Sequence, residues 1–270
     1  TGSTIDHATM AFVFTGNGCQ WQGMGQSLYT NTPRFKAEFD RVSEVLSQLS
    51  PSYTLLEELF RDEAESSLDQ TEIAQPLLFA IQVGIVAYLA DYGIKPSAVL
   101  GHSVGEVAAA WCSGALSLEQ AILVIHHRSQ AQGLTRGKGR MAAVGLGAEA
   151  LQTLLDSLET TTPIVIAGEN SLNACTVAGD LESLELLEAA LAESEQFYRL
   201  LDLDYAFHSP AMDDVEQQVR SSLAALKPDS ATIPFVSTVT GKHLDGTQLD
   251  ADYWWRNIRE PVRFSSAITQ

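Results

Sequence analysis

Apolar residues fall into runs and stripes that alternate along the chain. "MAFVF" at 10–14 is a short apolar run that stops at "TGNG", the pattern of a buried strand ending in a glycine turn. From Phe35, apolar side chains recur at Phe39, Val42, Leu46 and Leu49, the spacing of an amphipathic helix. The stretch "TEIAQPLLFAIQVGIVAYLADYG" is apolar nearly all round and predicts a buried helix closed by Gly93. Pro76 should lie near its first turn or kink it. "SAVL" predicts a strand that runs straight into Gly101-His102-Ser103. Helices are expected at about 104–113 and 118–132, the second opened by a capping box of Ser117 and Gln120.

The pattern changes after the glycine-rich, basic segment "GLTRGKGR". Strands are expected at 140–146, 163–168, 174–178 and 196–201, with helices at 148–158 and 180–194. That order, β-α-β-β-α-β, is the ferredoxin-like arrangement. The chain then returns through "YAFHSPAMDDVEQQVRSSLAAL" to a strand at "IPFVST". The fold class is therefore α/β. A large α/β-hydrolase-like domain, 10–133 and 204–270, carries a nucleophile elbow, and 134–203 form a small inserted ferredoxin-like subdomain. Residues 1–9 read as a tag or linker remnant, since they lack the basic and apolar regions of a signal peptide.

Composition narrows the function. With 270 residues the chain can bury a sizeable core, and no stretch of about 18 uninterrupted apolar residues suggests a membrane span. Lys+Arg 16 against Asp+Glu 34 leaves a formal charge of −18, the opposite of a nucleic-acid binder's balance. An anionic substrate would need a locally basic site, so each arginine in an apolar setting carries weight. Cys19, Cys112 and Cys175 are odd in number and widely spaced, which fits free thiols in a reducing, cytoplasmic setting. No Cys/His spacing suggests a metal site, and no bound cofactor is implied.

"GHSVGE" places Ser103 between two glycines at a strand-to-helix junction. There a tight turn lifts the hydroxyl out of the backbone at a helix N-terminus, where the Val104 N–H can face a developing oxyanion. An ordinary N-cap serine is the competing reading of the pentapeptide alone. A serine nucleophile needs a base. Of six histidines, His7 lies in the terminal segment, His243 in a polar turn, and His126 and His127 in a helix. His102 is adjacent to the serine and poorly placed to turn back onto it, which leaves His208 by elimination.

Seven segments in order, "FVFTGNGCQWQGMG", "QPLLFAIQ", "GHSVGEVAAAWCSGALSLEQA", "HHRS", "GRMAAVGL", "YAFHS" and "YWWRNIREPVRF", give the chain a family likeness. It resembles the acyltransferase domains of type I polyketide synthases, kin to malonyl-CoA:acyl-carrier-protein transacylases, over roughly residues 10–266. The resemblance implies a ping-pong transfer. Ser103 takes an acyl group from an acyl-CoA, most readily malonyl-CoA, and the phosphopantetheine thiol of an acyl carrier protein removes it. A ketosynthase domain of the same synthase is a further implied partner. The resemblance makes His208 the base, oriented by the backbone carbonyl of Asn257, and puts the backbone N–H groups of Asn17 and Val104 in the oxyanion hole. The family usually has glutamine where this chain has Asn17, a change that matters little to a backbone donor.

On its own, Arg128 reads as a solvated helix arginine; the resemblance implies that it holds the free carboxylate of a dicarboxylic acyl group. Gln20, Tyr205 and Phe207 are implied to shape the acyl pocket, with Asn170 and His102 nearby. Tyr205-Ala206-Phe207-His208 mixes the family's malonyl pattern "HAFH" with its methylmalonyl pattern "YASH". Phe207, next to the base, should exclude a methyl branch, and Val104 points the same way. Arg136, Lys138 and Arg140 read as a solvated basic loop, with contact to coenzyme A phosphates as the functional alternative. The family normally continues past "PVRFSSAITQ", so an excised domain is expected. A serine esterase or thioesterase passing the acyl group to water is the main rival. A degenerate module and a loading domain for monocarboxylic groups are disfavoured by the presence of Ser103, His208 and Arg128.

Overall fold

The computed structural model describes residues 9–270; the segment read as a linker remnant, 1–9, lies outside them except for Thr9. The chain opens with β1 (Ala11–Phe14), α1 (Gln26–Asn31), α2 (Pro33–Ser47) and α3 (Leu55–Phe60). Then come α4 (Thr71–Asp91), β2 (Ala98–Gly101), α5 (Gly105–Cys112) and α6 (Leu118–Gly133). The middle part is β3 (Arg140–Val144), α7 (Ala148–Ser157), β4 (Val165–Ser171), β5 (Ala174–Gly179), α8 (Leu181–Glu193) and β6 (Tyr198–Leu200). A 3-10 turn at Pro210–Val215 precedes α9 (Glu216–Ser222), and β7 (Phe235–Ser237), β8 (Lys242–Leu244), α10 (Ala251–Arg259) and α11 (Phe264–Ala267) follow.

One sheet has the order β1-β2-β7-β8, with β1, β2 and β7 mutually parallel and β8 antiparallel to β7. Parallel neighbours require crossover connections, which the helices between the strands supply. The parallel strands β1, β2 and β7 are apolar, and β7 is wholly buried. The periodic stripe on α2 buries Phe35, Phe39, Val42 and Leu46. Helix α4 is long and apolar enough by length and composition to cross a membrane, but two thirds of that stretch is buried inside the protein. It packs against α2, α5 and α6, which is why it lacks a polar face. Pro76 lies within α4, past its first turn, and Gly93, at φ 74°, ends it.

The second sheet is antiparallel, in the order β4-β5-β3-β6, with α7 and α8 packed on it. Its own core includes Val144, Leu151, Val177, Leu184 and Leu187. Two bonds join the sheet to the returning chain: Glu169 N–H donates to Val262 O (2.8 Å) and Val262 N–H to Ala167 O (2.9 Å). His102, the residue after β2, also bonds Asn170 of β4, so the second sheet meets the carboxyl end of β2, where open α/β sheets place their ligands.

Candidate active site

The turn after β2 is built by contacts that only glycine permits. A Cβ on Gly101 would lie 2.1 Å from the Glu106 nitrogen, and one on Gly105 would lie 2.2 Å from the Phe14 carbonyl oxygen. Between them Ser103 is held at φ 52°, a left-handed conformation that side-chain-bearing residues rarely adopt. The turn leads into α5 and presents the Ser103 hydroxyl at the helix entrance. The loop after β1 presses on the same turn: a Cβ on Gly16 would meet His102 O at 2.6 Å. This sets the loop that carries Asn17 against the turn that carries Ser103 and Val104. Among the described residues neither the Asn17 N–H nor the Val104 N–H donates to a protein acceptor.

His208 also holds a positive φ, 59°, and its Nε2 lies 2.8 Å from Ser103 Oγ. Its Nδ1 lies 2.9 Å from the Glu260 carbonyl oxygen. A carbonyl only accepts, so Nδ1 carries the proton and the Nε2 lone pair faces the hydroxyl. Burial, with Arg128 and His102 nearby, pushes His208 down to about 3, so the ring is neutral at neutral pH. The resemblance gave the orienting carbonyl to Asn257; the structure gives it to Glu260, three residues on. The chain turns out of α10 at Glu260, which aims that carbonyl at the ring.

The Asn257 side chain does other work. Its Oδ1 accepts from Arg128 Nε (3.0 Å), while its Nδ2 donates to Ser103 O (3.2 Å) and to Glu106 Oε2 (2.8 Å). Arg128 is not a solvated helix arginine: it is fully buried on α6. Its two terminal nitrogens donate to Ser103 Oγ (3.0 Å), Gln75 Oε1 (2.6 Å) and Gln132 Oε1 (2.8 Å). Every one of these acceptors is neutral. Burial lowers the guanidinium to about 9 while Glu106 raises it, so it keeps its charge at neutral pH. Gln132 Nε2 has no partner among the described residues.

The remaining expected residues are distributed around this centre. Tyr205 and Phe207 are buried and stacked, ring centroids 4.8 Å apart, in the segment that carries His208. His102 Nε2 lies 2.9 Å from Asn170 Oδ1, and Asn170 Nδ2 donates to Thr176 Oγ1, so this pair spans the two sheets. The Gln20 amide is taken up by the Gly18 N–H in its own loop and by Leu68 O in the segment before α4. Arg136, Lys138 and Arg140 are paired with Asp69, Asp214 and Asp204, which leaves the basic loop with little charge for a phosphate. Among the described residues no cluster of His, Cys, Asp and Glu could hold a metal ion. Sequence reasoning missed Glu106, Gln75 and Gln132. A lone acid in the otherwise apolar run "GEVAAAW" was the available signal for the first.

The arrangement is a hydroxyl with a neutral base on one side and a buried cation on the other, suited to acyl transfer through a serine ester. A profile of the acyl transferase domain family matches residues 11–270. A highly reducing polyketide synthase of Glarea lozoyensis, gloL, is 40% identical over 270 residues, spanning 96% of this chain and 10% of that protein. The erythronolide synthase EryA2 of Saccharopolyspora erythraea is 35% identical over 266 residues, spanning 98% and 7%. The chain thus spans about a tenth or less of these curated relatives. The acyltransferase domain from module 8 of the salinomycin polyketide synthase superposes with a TM-score of 0.91 at 35% identity, over 96% of this chain and 61% of that one. A serine esterase finds no support among these relatives. The chain belongs to the acyl transferase domain family, and it is an acyltransferase domain of the kind that type I polyketide synthases carry.

Proposed function

We propose that this domain loads a dicarboxylic extender unit, malonyl, from its coenzyme A thioester onto Ser103 and passes it to the phosphopantetheine thiol of an acyl carrier protein. The observation that carries the reading is Arg128: a fully buried cation whose every hydrogen-bond acceptor is neutral. A buried charge with no counterion in contact is costly, and the carboxylate of a malonyl group would supply one; Glu106, the nearest acid, is held off by the Asn257 amide. That carboxylate sits three bonds from the serine oxygen, within reach of a guanidinium that already touches Ser103 Oγ at 3.0 Å. A planar guanidinium suits a carboxylate, which it can hold by two parallel hydrogen bonds.

In the first half-reaction Ser103 Oγ attacks the thioester carbonyl and its proton passes to His208 Nε2. The Asn17 and Val104 N–H groups receive the oxyanion, and the imidazolium returns the proton to the departing coenzyme A thiolate. In the second half-reaction the phosphopantetheine thiol gives its proton to His208 and attacks the serine ester; as the C–O bond breaks, the imidazolium returns that proton to Ser103 Oγ and both residues are restored. Burial of Ser103 and His208 disfavours water as the acceptor. The ring of Phe207, stacked on Tyr205, forms a fixed wall that favours malonyl over methylmalonyl. We read the parallel sheet with its elbow as α/β-hydrolase-like and the antiparallel unit as ferredoxin-like. The domain would act in the cytoplasm beside a ketosynthase of the same synthase and need no bound cofactor.

Arg128→Ala tests the reading. Malonyl-CoA should lose about 2–5 kcal/mol in kcat/KM, the usual worth of a desolvated charge pair, while acetyl-CoA changes little. Acylation of Ser103, followed by intact-protein mass spectrometry with each thioester, reads both. Equal losses would make Arg128 structural and remove the main support for a dicarboxylic substrate.

A further inference from the structure

Beneath the elbow lies a carboxyl group that the transfer reaction does not use. Glu106 is on the first turn of α5, fully buried, and neither of its oxygens meets a cation. Oε1 accepts from the Thr238 N–H and from Thr238 Oγ1 (2.9 Å); Oε2 accepts from Tyr253 OH (2.7 Å) and Asn257 Nδ2 (2.8 Å). Through the Asn257 amide it is one residue removed from Arg128, whose Nε donates to the other end of the same amide. Glu106 is therefore the nearest negative charge available to the buried guanidinium, held from it by a neutral spacer.

Two of its four donors are hydroxyls with a second acceptor in reach. Thr238 Oγ1 also lies 3.1 Å from Gly101 O, and Tyr253 OH also lies 2.8 Å from Ser237 Oγ. Each can turn its hydrogen away from the carboxyl. A proton added to Oε1 could then be donated to the Thr238 hydroxyl oxygen, whose own hydrogen turns to Gly101 O, with no buried group orphaned. The pocket is thus built to hold the carboxyl in either state. Arg128 from α6 and Tyr253 from α10 are the ionisable groups that face it. β1 and β2 are apolar, β7 and the following turn present Ser237 and Thr238, and the buried positions of α4 are apolar apart from Thr71 and Gln75. His208 is bonded to Ser103 Oγ and His102 to Asn170, and neither hydrogen-bonds the carboxyl.

We propose that Glu106 is a positioning residue for the Arg128 subsite, a carboxyl that takes a proton from solvent when the carboxylate of the acyl group occupies the guanidinium. This rests on the reading of Arg128 as the carboxylate holder. In the empty site an ionised Glu106 keeps Arg128 charged and fixed through Asn257. A bound malonyl carboxylate brings a second negative charge onto the same cation, and the two repel across a dry interior. Protonating Glu106 removes the repulsion at no cost in hydrogen bonds. Burial pushes this carboxyl up to about 7, against the hydrogen bonds that lower it. His208, near 3, and Arg128, near 9, leave Glu106 as the group of this centre that titrates around neutrality.

The sign follows by linkage. Malonyl binds better to the protonated form, so its half-saturating concentration should rise as pH rises through the Glu106 titration. Two like charges held on the order of 10 Å apart in a medium of effective dielectric about 20 imply a rise of about tenfold between about pH 6 and about pH 8, with acetyl-CoA flat across the same range. Pre-steady-state acylation of Ser103 with each thioester measures both. Glu106→Gln should flatten the malonyl curve; its amide nitrogen would face the donor Asn257 Nδ2, so circular dichroism first establishes that the variant is folded. Tyr253→Phe keeps the carboxyl and removes a donor to its ionised form, so the malonyl inflection should move to higher pH. Infrared difference spectra of the wild type should show a protonated carboxylic acid appearing on malonyl loading and not on acetyl loading. A malonyl curve that stays flat, or rises together with the acetyl curve, overturns the proposal. Arg128→Ala, run beside it, decides separately whether a carboxylate is held there at all.

Discussion

Ser103 and His208 both sit in the left-handed region, and both are pinned there by their neighbours. The turn is forced by Gly101 and Gly105, whose close approaches allow no Cβ, so the tight turn that lifts Ser103 was legible from the pentapeptide together with the strand before it and the helix after it. His208 followed from the exclusion of the other histidines. The carbonyl that orients it was not legible, because a backbone oxygen belongs to every residue and only the path of the chain decides which one is aimed. That path selects Glu260 and leaves Asn257 to tie Arg128 to Glu106. Phe207 gives the sharpest prediction at this scale. Its ring is stacked on Tyr205 with an interplanar angle of 15°, so it cannot swing aside without breaking the stack. Excluding one methyl group by shape is worth about 1–3 kcal/mol, so malonyl should be preferred over methylmalonyl by roughly 10–200-fold. Phe207→Ser should bring that ratio down toward one. Equimolar competition between the two thioesters, read as acyl-enzyme mass, checks it. Methylmalonyl preference in the wild type would refute the choice, and an unchanged ratio in the variant would refute the mechanism.

Elements with a strong period were the ones the sequence announced. The stripe of α2, the all-apolar α4, the strand β2 and the cap of α6 lie where pattern and capping chemistry put them. β8 was missed: "KHL" carries no apolar run, and its place in the sheet comes from the hairpin with β7. The short helices α1, α3 and α11 have too few turns to show a period. Helix α6 shows how an element serves the site. Ser117 Oγ accepts from the Gln120 N–H at 3.2 Å and Gln120 Oε1 accepts from the Ser117 N–H at 2.8 Å, so the capping box is complete. Arg128 lies in the third turn from that cap, on the buried face. Ser117→Ala should therefore cost about 1 kcal/mol of stability, the usual value of an N-cap. Urea unfolding monitored by circular dichroism should show a lower midpoint with an unchanged slope. Acylation rates at permissive temperature should hold, because the cap fixes the helix end and not the arginine's partners.

At the scale of the whole molecule, the centre lies where two sheets meet, and the larger core reaches onto Met141, Ala167 and Ala178 of the antiparallel one. The large unit supplies Ser103, Arg128 and His208, and the small one supplies Asn170 from β4. Two ties cross the joint close to the nucleophile. One is the backbone pairing of Ala167 and Glu169 with Val262, two residues past the carbonyl that orients His208. The other is the hydrogen bond between His102, beside the nucleophile, and Asn170, which Thr176 holds in turn. Burial keeps His102 below its ordinary pKa, which suits a neutral ring bonded to a neutral amide. The small unit therefore bears on both the nucleophile turn and the base without touching the guanidinium. Asn170→Ala should loosen the joint and misplace Ser103 relative to His208. Small displacements of reacting groups cost up to about 10²-fold, and a loss of about tenfold is expected here. Because Arg128 keeps all its partners, the loss should fall equally on malonyl-CoA and acetyl-CoA, in kcat more than in KM. That pattern is the reverse of Arg128→Ala, whose effect follows the carboxylate. Parallel kinetics of the two variants on both thioesters separate the roles. A selective loss of malonyl transfer in Asn170→Ala would place Asn170 in the acyl subsite and not in the joint.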